Sequence, residues 1–504
     1  MGLPVEDAVF VRPPPRASLA CTARVALMTW LAPPLAAAVV HAPELAFRFT
    51  SLDDITLIVD DQPFLATASA PLAAFGRSYF HVIDAAHAYY RPLVTASYAV
   101  DARVSCASPL AYHATNVLLH VVATLLVLAL LRRLRIDPVT AACAALVFAV
   151  HPALVEAVAW IPGRNDSLMT VFALGALVMF ARGRVVLHLA CFAAALFAKE
   201  TALAIPPLCI AYWWLVERPS PLLSPSRARF AALFFGWSLV VCAFFIARAR
   251  VLAGASSAID PRVALAHLLL LVTSLGKIAL PVDLAVLATT DDSATWPAVA
   301  IGVGAVVAIA VAAWRVSGVR VRVIAFGAAL YGLSLVPTLF APGTLALECR
   351  LYLPTVGAVV VLAEIARALA QDGSRRRVVV ASAAALGIAL AAITVGYAGA
   401  FRDPHAFAKA AVTGSPHSSL AHFTLGQSHH LRGDLDRAIG EYAFALALDP
   451  TEPLVHNNLA VISMKRADWA RAEEELHKEL DVNPGCATAT RNLDIVVRRM
   501  RESD

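Results

Sequence analysis

Charge is what this sequence has least of. Of its 504 residues only 15% are Asp, Glu, Lys or Arg, while 59% are hydrophobic and the mean hydropathy is +0.70; a soluble domain carries about 25% charged residues. That shortage excludes an ordinary soluble enzyme and gives a polytopic membrane protein. Ala, Val and Leu fill runs such as Ala141–Val150 and Val378–Gly396, and helices, whose backbone groups bond internally, carry such runs through a bilayer. Cysteine is also uninformative. The chain has eight, none in a CxxC spacing, which argues against a disulfide framework or a zinc site. Five of them, Cys21, Cys143, Cys191, Cys209 and Cys242, lie in apolar segments, where a free thiol behaves as a small hydrophobe. The net charge of +5 is small, and the arginines cluster in short loops between apolar runs. That pattern orients a membrane protein and does not make a nucleic-acid surface.

The amino end carries Arg12, Arg16 and Arg24 around its first apolar run. Trp30, Pro33 and Pro34 interrupt that run and no cleavage site follows, so the expectation is an uncleaved span over about Cys21–Val40 with the N-terminus in the cytoplasm. A folded outer loop, 41–112, comes next. Later turns of the chain alternate between arginine-rich loops (Arg132, Arg133 and Arg135; Arg182 and Arg184; Arg218–Arg229; Arg315–Arg322; Arg375–Arg377) and loops richer in acids and aromatics. Counting apolar runs predicts about eleven spans, with Ala264–Leu280 expected not to cross fully because three crossings would put two basic loops on opposite faces.

The outer loop opens on Phe49–Leu65, which holds two adjacent acid pairs, Asp53-Asp54 and Asp60-Asp61. Acids kept at a membrane edge are costly unless used, so they are functional candidates; an unpartnered acidic turn is the competing reading. Other polar groups expected on the same face are Arg91, His113, Asn116, His151, Glu156, Arg164, Asp166, Lys199, Glu200, Glu348, Arg350 and Tyr352. Acids, cations and hydroxyls converging there suit transfer of a sugar from a lipid phosphate. The acceptor hydroxyl needs a general base, the departing phosphate needs fixed cations, and inversion needs the two on opposite faces of the sugar.

The last hundred residues turn polar and repetitive. His417–Pro450 and Thr451–Pro484 share the tetratricopeptide (TPR) length, with Leu425, Gly426, Gly433, Ala438, Tyr442, Ala445 and Pro450 matched by Leu459, Ala460, Ala467, Ala472, Leu476, Glu479 and Pro484. Glu479 is the poorest match. Ala487–Met500 is expected to cap the array, and Phe401–Val412 to precede it.

The motifs FTSLDD, YRPLVTASYAVD, SPLAYHATNVLLH, FAVHPALVEAVAWIPGRNDSL, FAKETALAIPPL and ECRLYLPTVG, in that order and followed by the repeats, make the chain resemble a GT-C fold glycosyltransferase. More specifically it is similar to bacterial relatives of the transmembrane-and-TPR O-mannosyltransferases. The resemblance implies an all-α architecture: a GT-C-like transmembrane domain over 1–400 and a TPR α-solenoid over 401–504. It implies transfer of mannose or a similar hexose from a polyprenyl-phosphate donor to a hydroxyl acceptor, protein Ser/Thr, lipid or glycan, on the outer face with inversion. Asp53 and Asp54 would be catalytic. Arg350, Tyr352, Lys199 and Arg164 would face the donor phosphate, with Arg91, His113, His151, Glu156, Glu200 and Glu348 in support. The implied setting is a bacterial inner membrane with the TPR domain outside and a peptide partner on its concave face. Cys349, where a His or Arg is expected, and Asn165, where an Ala or Lys is common, depart from the pattern. No metal or other cofactor is expected, although adjacent acids could hold Mg or Mn and His81, Asp84 and His87 share a spacing that a helix would bring together. A membrane-anchored TPR scaffold without catalysis is the alternative function. A transporter fits less well because the polar groups gather on one face and not at the midplane.

Overall fold

A computed structural model describes residues 16–82, 89–105, 107–217, 227–252, 261–281, 283–293, 295–340 and 347–503. Every regular element among them is helical. The chain is an all-α membrane bundle followed by paired polar helices. The bundle comprises α1 (Arg16–Val40), α2 (Pro92–Ser105), α3 (Pro109–Arg133), α4 (Pro138–Ala149), α5 (Val155–Ala159), α6 (Arg164–Ala181), α7 (Val185–Ala198), α8 (Ile205–Tyr212), α9 (Arg227–Val251), α10 (Pro261–Ala279), α11 (Trp296–Arg315), α12 (Val321–Leu335), α13 (Tyr352–Leu369) and α14 (Gly373–Ala398). Pro33 and Pro34 lie inside α1 without ending it.

By length and composition, six helices among the described residues can cross a membrane, or seven if the α4–α5 pair, bent by 55°, counts as one span. The remaining apolar runs of the sequence form shorter helices, as in Val185–Ala198 and Leu268–Ala279, or begin with charge, as α6 does at Arg164-Asn165-Asp166. Small residues set close crossings. A Cβ on Gly357 of α13 would stand 2.5 Å from the Tyr331 backbone nitrogen of α12; only glycine permits that approach, the usual way apolar helices associate without a hydrophobic driving force between them.

Six further helices follow: α15 (Pro404–Gly414), α16 (Ser419–Leu431), α17 (Leu435–Leu448), α18 (Val455–Lys465), α19 (Trp469–Val482) and α20 (Ala487–Ser503). The hairpins α16–α17 and α18–α19 repeat each other in detail. Gly433 and Ala467 both turn left-handed, at φ +80° and +58°, and the next residues, Asp434 and Asp468, both cap the following helix. His422 pairs with Glu441, and His456 with Glu475, each at 2.7 Å. The mismatch at Glu479 has a structural cause. Its buried carboxylate accepts the backbone N–H groups of Leu454 at 2.9 Å and Asn457 at 3.3 Å, satisfying the amino end of α18 where Leu454 itself is left-handed and offers no side-chain cap.

Helix α15 ties this array to the bundle. Phe407 packs on Trp160 at 6.1 Å between ring centroids, Arg48 N–H donates to the Arg402 carbonyl at 2.9 Å, and Ser415 Oγ donates to the Val286 carbonyl at 3.1 Å.

Replacing Glu479 by Ala, the small residue that a repeat pattern favours, is therefore expected to destabilise the helical array by about 1.5–3 kcal/mol, the cost of losing hydrogen bonds to a charged group. Thermal unfolding of the full chain in detergent, followed by circular dichroism, checks it; an unchanged or raised Tm contradicts the capping role.

Candidate functional site

The acid pair sits in the loop between α1 and α2. Leu52, just before it, has φ +61°, a left-handed conformation that a branched side chain adopts only under constraint. The constraint is visible: Thr50 N–H and Thr50 Oγ both donate to Asp54 Oδ2, at 2.5 and 2.9 Å, and a turn this tight places Asp53 and Asp54 at the start of a helical turn that continues through Val59. Asp54 is fully buried and its Oδ1 has no hydrogen-bond partner among the described residues; Asp53 is partly exposed. Burial pushes the Asp53 carboxyl up to about 6, with the Arg91 charge pulling the other way. Burial pushes Asp54 up to about 7 against the Thr50 bonds, and the neighbouring Asp53 charge adds to the rise. Both acids thus change charge near neutrality, as a general base at a membrane edge requires.

Arg91 is held by Glu200 through two bonds, Nη2 to Oε1 at 2.7 Å and Nε to Oε2 at 3.2 Å, and lies over the Tyr89 ring at 4.5 Å. Burial works against ionising Glu200, yet the charge and bonds of Arg91 bring its carboxyl down to about 2. This pair joins the start of α2 to the turn after α7.

The other sequence candidates lie in a connected layer behind it, and several are fully engaged. Arg164, with no exposed surface, donates to Asn116 Oδ1 at 2.7 Å, Ser97 Oγ at 3.0 Å and the Tyr112 carbonyl at 2.7 Å, and pairs with Asp101 Oδ2 at 2.6 Å. Lys199 Nζ holds both oxygens of Asp166, at 2.7 and 2.6 Å. Tyr352 points into the bundle, where its hydroxyl donates to His120 Nδ1 at 2.6 Å; it does not share a surface with Arg350. His151 donates from Nε2 to the Ile278 carbonyl and accepts the Ala153 N–H at Nδ1, which fixes it as a brace between α10 and the α4–α5 bend. His113 is buried edge-on to Phe47, 6.2 Å away.

Glu156 and Glu348 anchor the segment that carries Arg350. Glu156 Oε2 accepts the Cys349 N–H at 2.8 Å. Glu348 Oε1 accepts Lys277 Nζ at 2.8 Å and the Ala285 N–H at 2.9 Å, and its Oε2 accepts the Tyr397 hydroxyl at 3.3 Å. Arg350 and Lys277 line one cleft together with Thr273, Ser274, Ser293 and Thr338, walled by leucines of α10 and α12. The cleft is small, about 30 Å³, and sets Arg350 beside these hydroxyls and an apolar wall.

Lys277, Asp101, Tyr397 and His120 were not among the sequence candidates. Lys277 had a signal: it is a cation inside an otherwise apolar run, and intramembrane charges are functional by default. The other three gave none beyond their place in the motifs. Among the described residues no group of three or more His, Cys, Asp or Glu could hold a metal. Of the spaced set His81, Asp84 and His87, the last two lie outside the described residues, and His81 Nε2 meets Asp61 Oδ1 at 3.0 Å.

No family model matches the chain. Curated proteins similar to it include the protein O-mannosyl-transferase Tmtc1 of Drosophila melanogaster, 36% identical over 154 residues, which are 28% of this chain and 18% of that protein. Protein O-mannosyl-transferase TMTC3 of Mus musculus is 29% identical over 174 residues, 32% of this chain and 19% of its own length. Protein O-mannosyl-transferase F38B6.6 of Caenorhabditis elegans is 40% identical over 101 residues, 19% of this chain and 15% of its own. The chain matches less than a fifth of the length of each of these relatives. Over that limited stretch it is similar to the transmembrane-and-TPR protein O-mannosyl-transferases, the same group that its motifs resemble.

Proposed function

We propose that this chain is a membrane glycosyltransferase moving a hexose, mannose or a close analogue, from a polyprenyl-phosphate donor to a hydroxyl acceptor, with inversion. The observation that carries the reading is the acid pair: two adjacent carboxyls in a strained, buried turn beside Arg91, both poised near neutrality and neither in an ion pair among the described residues. Asp53, the more accessible, takes the proton of the acceptor hydroxyl as its oxygen attacks the anomeric carbon. The bond from that carbon to the phosphate oxygen breaks, and polyprenyl phosphate leaves. Asp54, tethered by Thr50, holds Asp53 in place. The names of the similar proteins support mannose as the sugar and a protein as the acceptor. In a bacterial cell the site would face the periplasm from the inner membrane, with the polar helices α15–α20 as a TPR domain on the same side, presenting the acceptor.

Arg350 keeps the donor-phosphate role in this reading; Lys277, on the same cleft, has its charge taken by Glu348 and positions the segment that carries Arg350. Arg164 and Lys199 are positioning residues instead, because their charges are already taken by Asp101 and Asp166.

Asp53→Asn is expected to lower transfer from a radiolabelled polyprenyl-phosphate sugar by about 10²–10⁴-fold, the span of a lost general base, with donor binding kept. In the native protein the carboxylate is the acting form, so transfer should fall as pH drops through about 6 and level off above it. A variant as active as the native protein, or a flat profile across that window, would remove Asp53 from the base role.

Lys199→Met alone should cost about 3–5 kcal/mol, because it strands a buried Asp166 charge, and adding Asp166→Leu should restore most of the stability. The double variant is expected to keep the native KM for donor. Recovered stability with a strongly raised donor KM would return Lys199 to the phosphate.

A further inference from the structure

The end of the bundle away from the acid pair carries a second, separate feature. Helix α3 meets the outer loop at Tyr112, whose ring packs on Phe49 at 5.7 Å, and some twenty residues later ends at Arg132 and Arg133. At 1.5 Å per residue these lie about 30 Å apart, one hydrocarbon thickness. There Arg132, Arg135, Arg367 and Arg376 line a cavity of about 530 Å³ together with Asp137 and Gln371.

Orientation by basic loops needs arginines near helix ends but no cavity. Helix dipoles favour cations at carboxyl ends, which suits Arg132 and Arg367 in the last turns of α3 and α13. The dipole does not account for Arg376, in the first turn of α14, where it opposes a cation. Arg135 is the more telling case. Its N–H bonds the Arg132 carbonyl and the next N–H, of Ile136, bonds the Leu131 carbonyl, both at 3.1 Å; that is the Schellman ending, whose left-handed residue is ordinarily glycine. Helix α6 ends in the same way with Gly183 at φ +72°. At the end of α3 the left-handed position, φ +59°, is filled by Arg135, which pays the backbone cost and puts a guanidinium on the cavity.

The positive charge there is in excess. Arg367 shares Glu364 with Arg320, and Asp137 is occupied in capping α4 through the Thr140 N–H at 3.2 Å. Arg132, Arg135 and Arg376 have no ion pair among the described residues, and Asp372 is paired with Arg375. Immediately beyond Arg376 the surface turns apolar, with Val378 63% and Leu362 42% exposed, as lipid-facing side chains are.

We infer that this cavity binds the phosphate groups of an anionic phospholipid, one with two phosphodiesters such as diphosphatidylglycerol matching the surplus charge. Guanidinium groups grip phosphate oxygens through paired N–H donors, and the apolar flank of α14 receives the acyl chains. A soluble polyanion would share the head-group chemistry but not that flank.

The test uses the full chain in nanodiscs of phosphatidylcholine, with or without diphosphatidylglycerol, or with inorganic pyrophosphate added to the phosphatidylcholine discs. Diphosphatidylglycerol is expected to raise the Tm of the native chain, and Arg132→Gln/Arg376→Gln to lose the rise, with lipid affinity down about thirtyfold for two arginines near the membrane surface. Arg135→Gly separates binding from folding: it should keep or raise the Tm in phosphatidylcholine, since glycine suits the left-handed turn, yet lose much of the lipid-induced rise. An equal rise in native and variant chains, or none in the native chain, overturns the site. A rise produced by pyrophosphate alone, with the same arginine dependence, overturns the lipid assignment in favour of a soluble anion.

Discussion

Buried charge in an apolar bundle has to be neutralised where it stands, and this structure depends on how that is done. Removing a carboxylate or a guanidinium from water costs several kcal/mol, offset only by a well-placed opposite charge and by hydrogen bonds to the remaining atoms. Arg164 with Asp101, Lys199 with Asp166, Lys277 with Glu348 and Arg91 with Glu200 meet that condition at 2.6–2.8 Å. In each case the partners come from different elements. The pairs therefore do more than cancel charge: they fix α2 against α6 and α7, and α10 against the segment before α13. Against such thorough pairing the acid pair stands apart, since Thr50 satisfies one oxygen of Asp54 and no cation closes on either acid at ion-pair distance among the described residues. Glu156 and Glu479 are also buried without an ion pair among the described residues, their carboxylates accepting backbone N–H groups, whereas Asp54 Oδ1 has no hydrogen-bond partner among the described residues.

This also explains what could be read in the sequence. Hydropathy gave the membrane bundle, because an apolar run long enough to cross a bilayer has few other uses. Asp53-Asp54 was legible as a candidate because an adjacent acid pair beside an apolar run is chemically conspicuous without any knowledge of its neighbours. The partners of Arg164, Lys199 and Tyr352 were not legible. A cation near a membrane face reads the same whether its partner is a ligand or a protein acid, and the partner of Arg164, Asp101, lies 63 positions earlier in the chain. Glu479 looked like a flaw in the repeat because a pattern of small and large residues takes no account of unsatisfied backbone N–H groups on the neighbouring helix.

The middle of the bundle is neutral, unlike its ends. His120 of α3 donates from Nε2 to the Ala149 carbonyl at 2.9 Å, so its Nδ1 is the acceptor for the Tyr352 hydroxyl at 2.6 Å. The imidazole is thereby held uncharged in one tautomer, and α3, α4 and α13 are joined at mid-height by a fully satisfied network, which rigidifies where a partly satisfied one would loosen. Helix α3 thus runs as one braced rod, from Tyr112 and His113 beside the acid loop to the arginines at its far end.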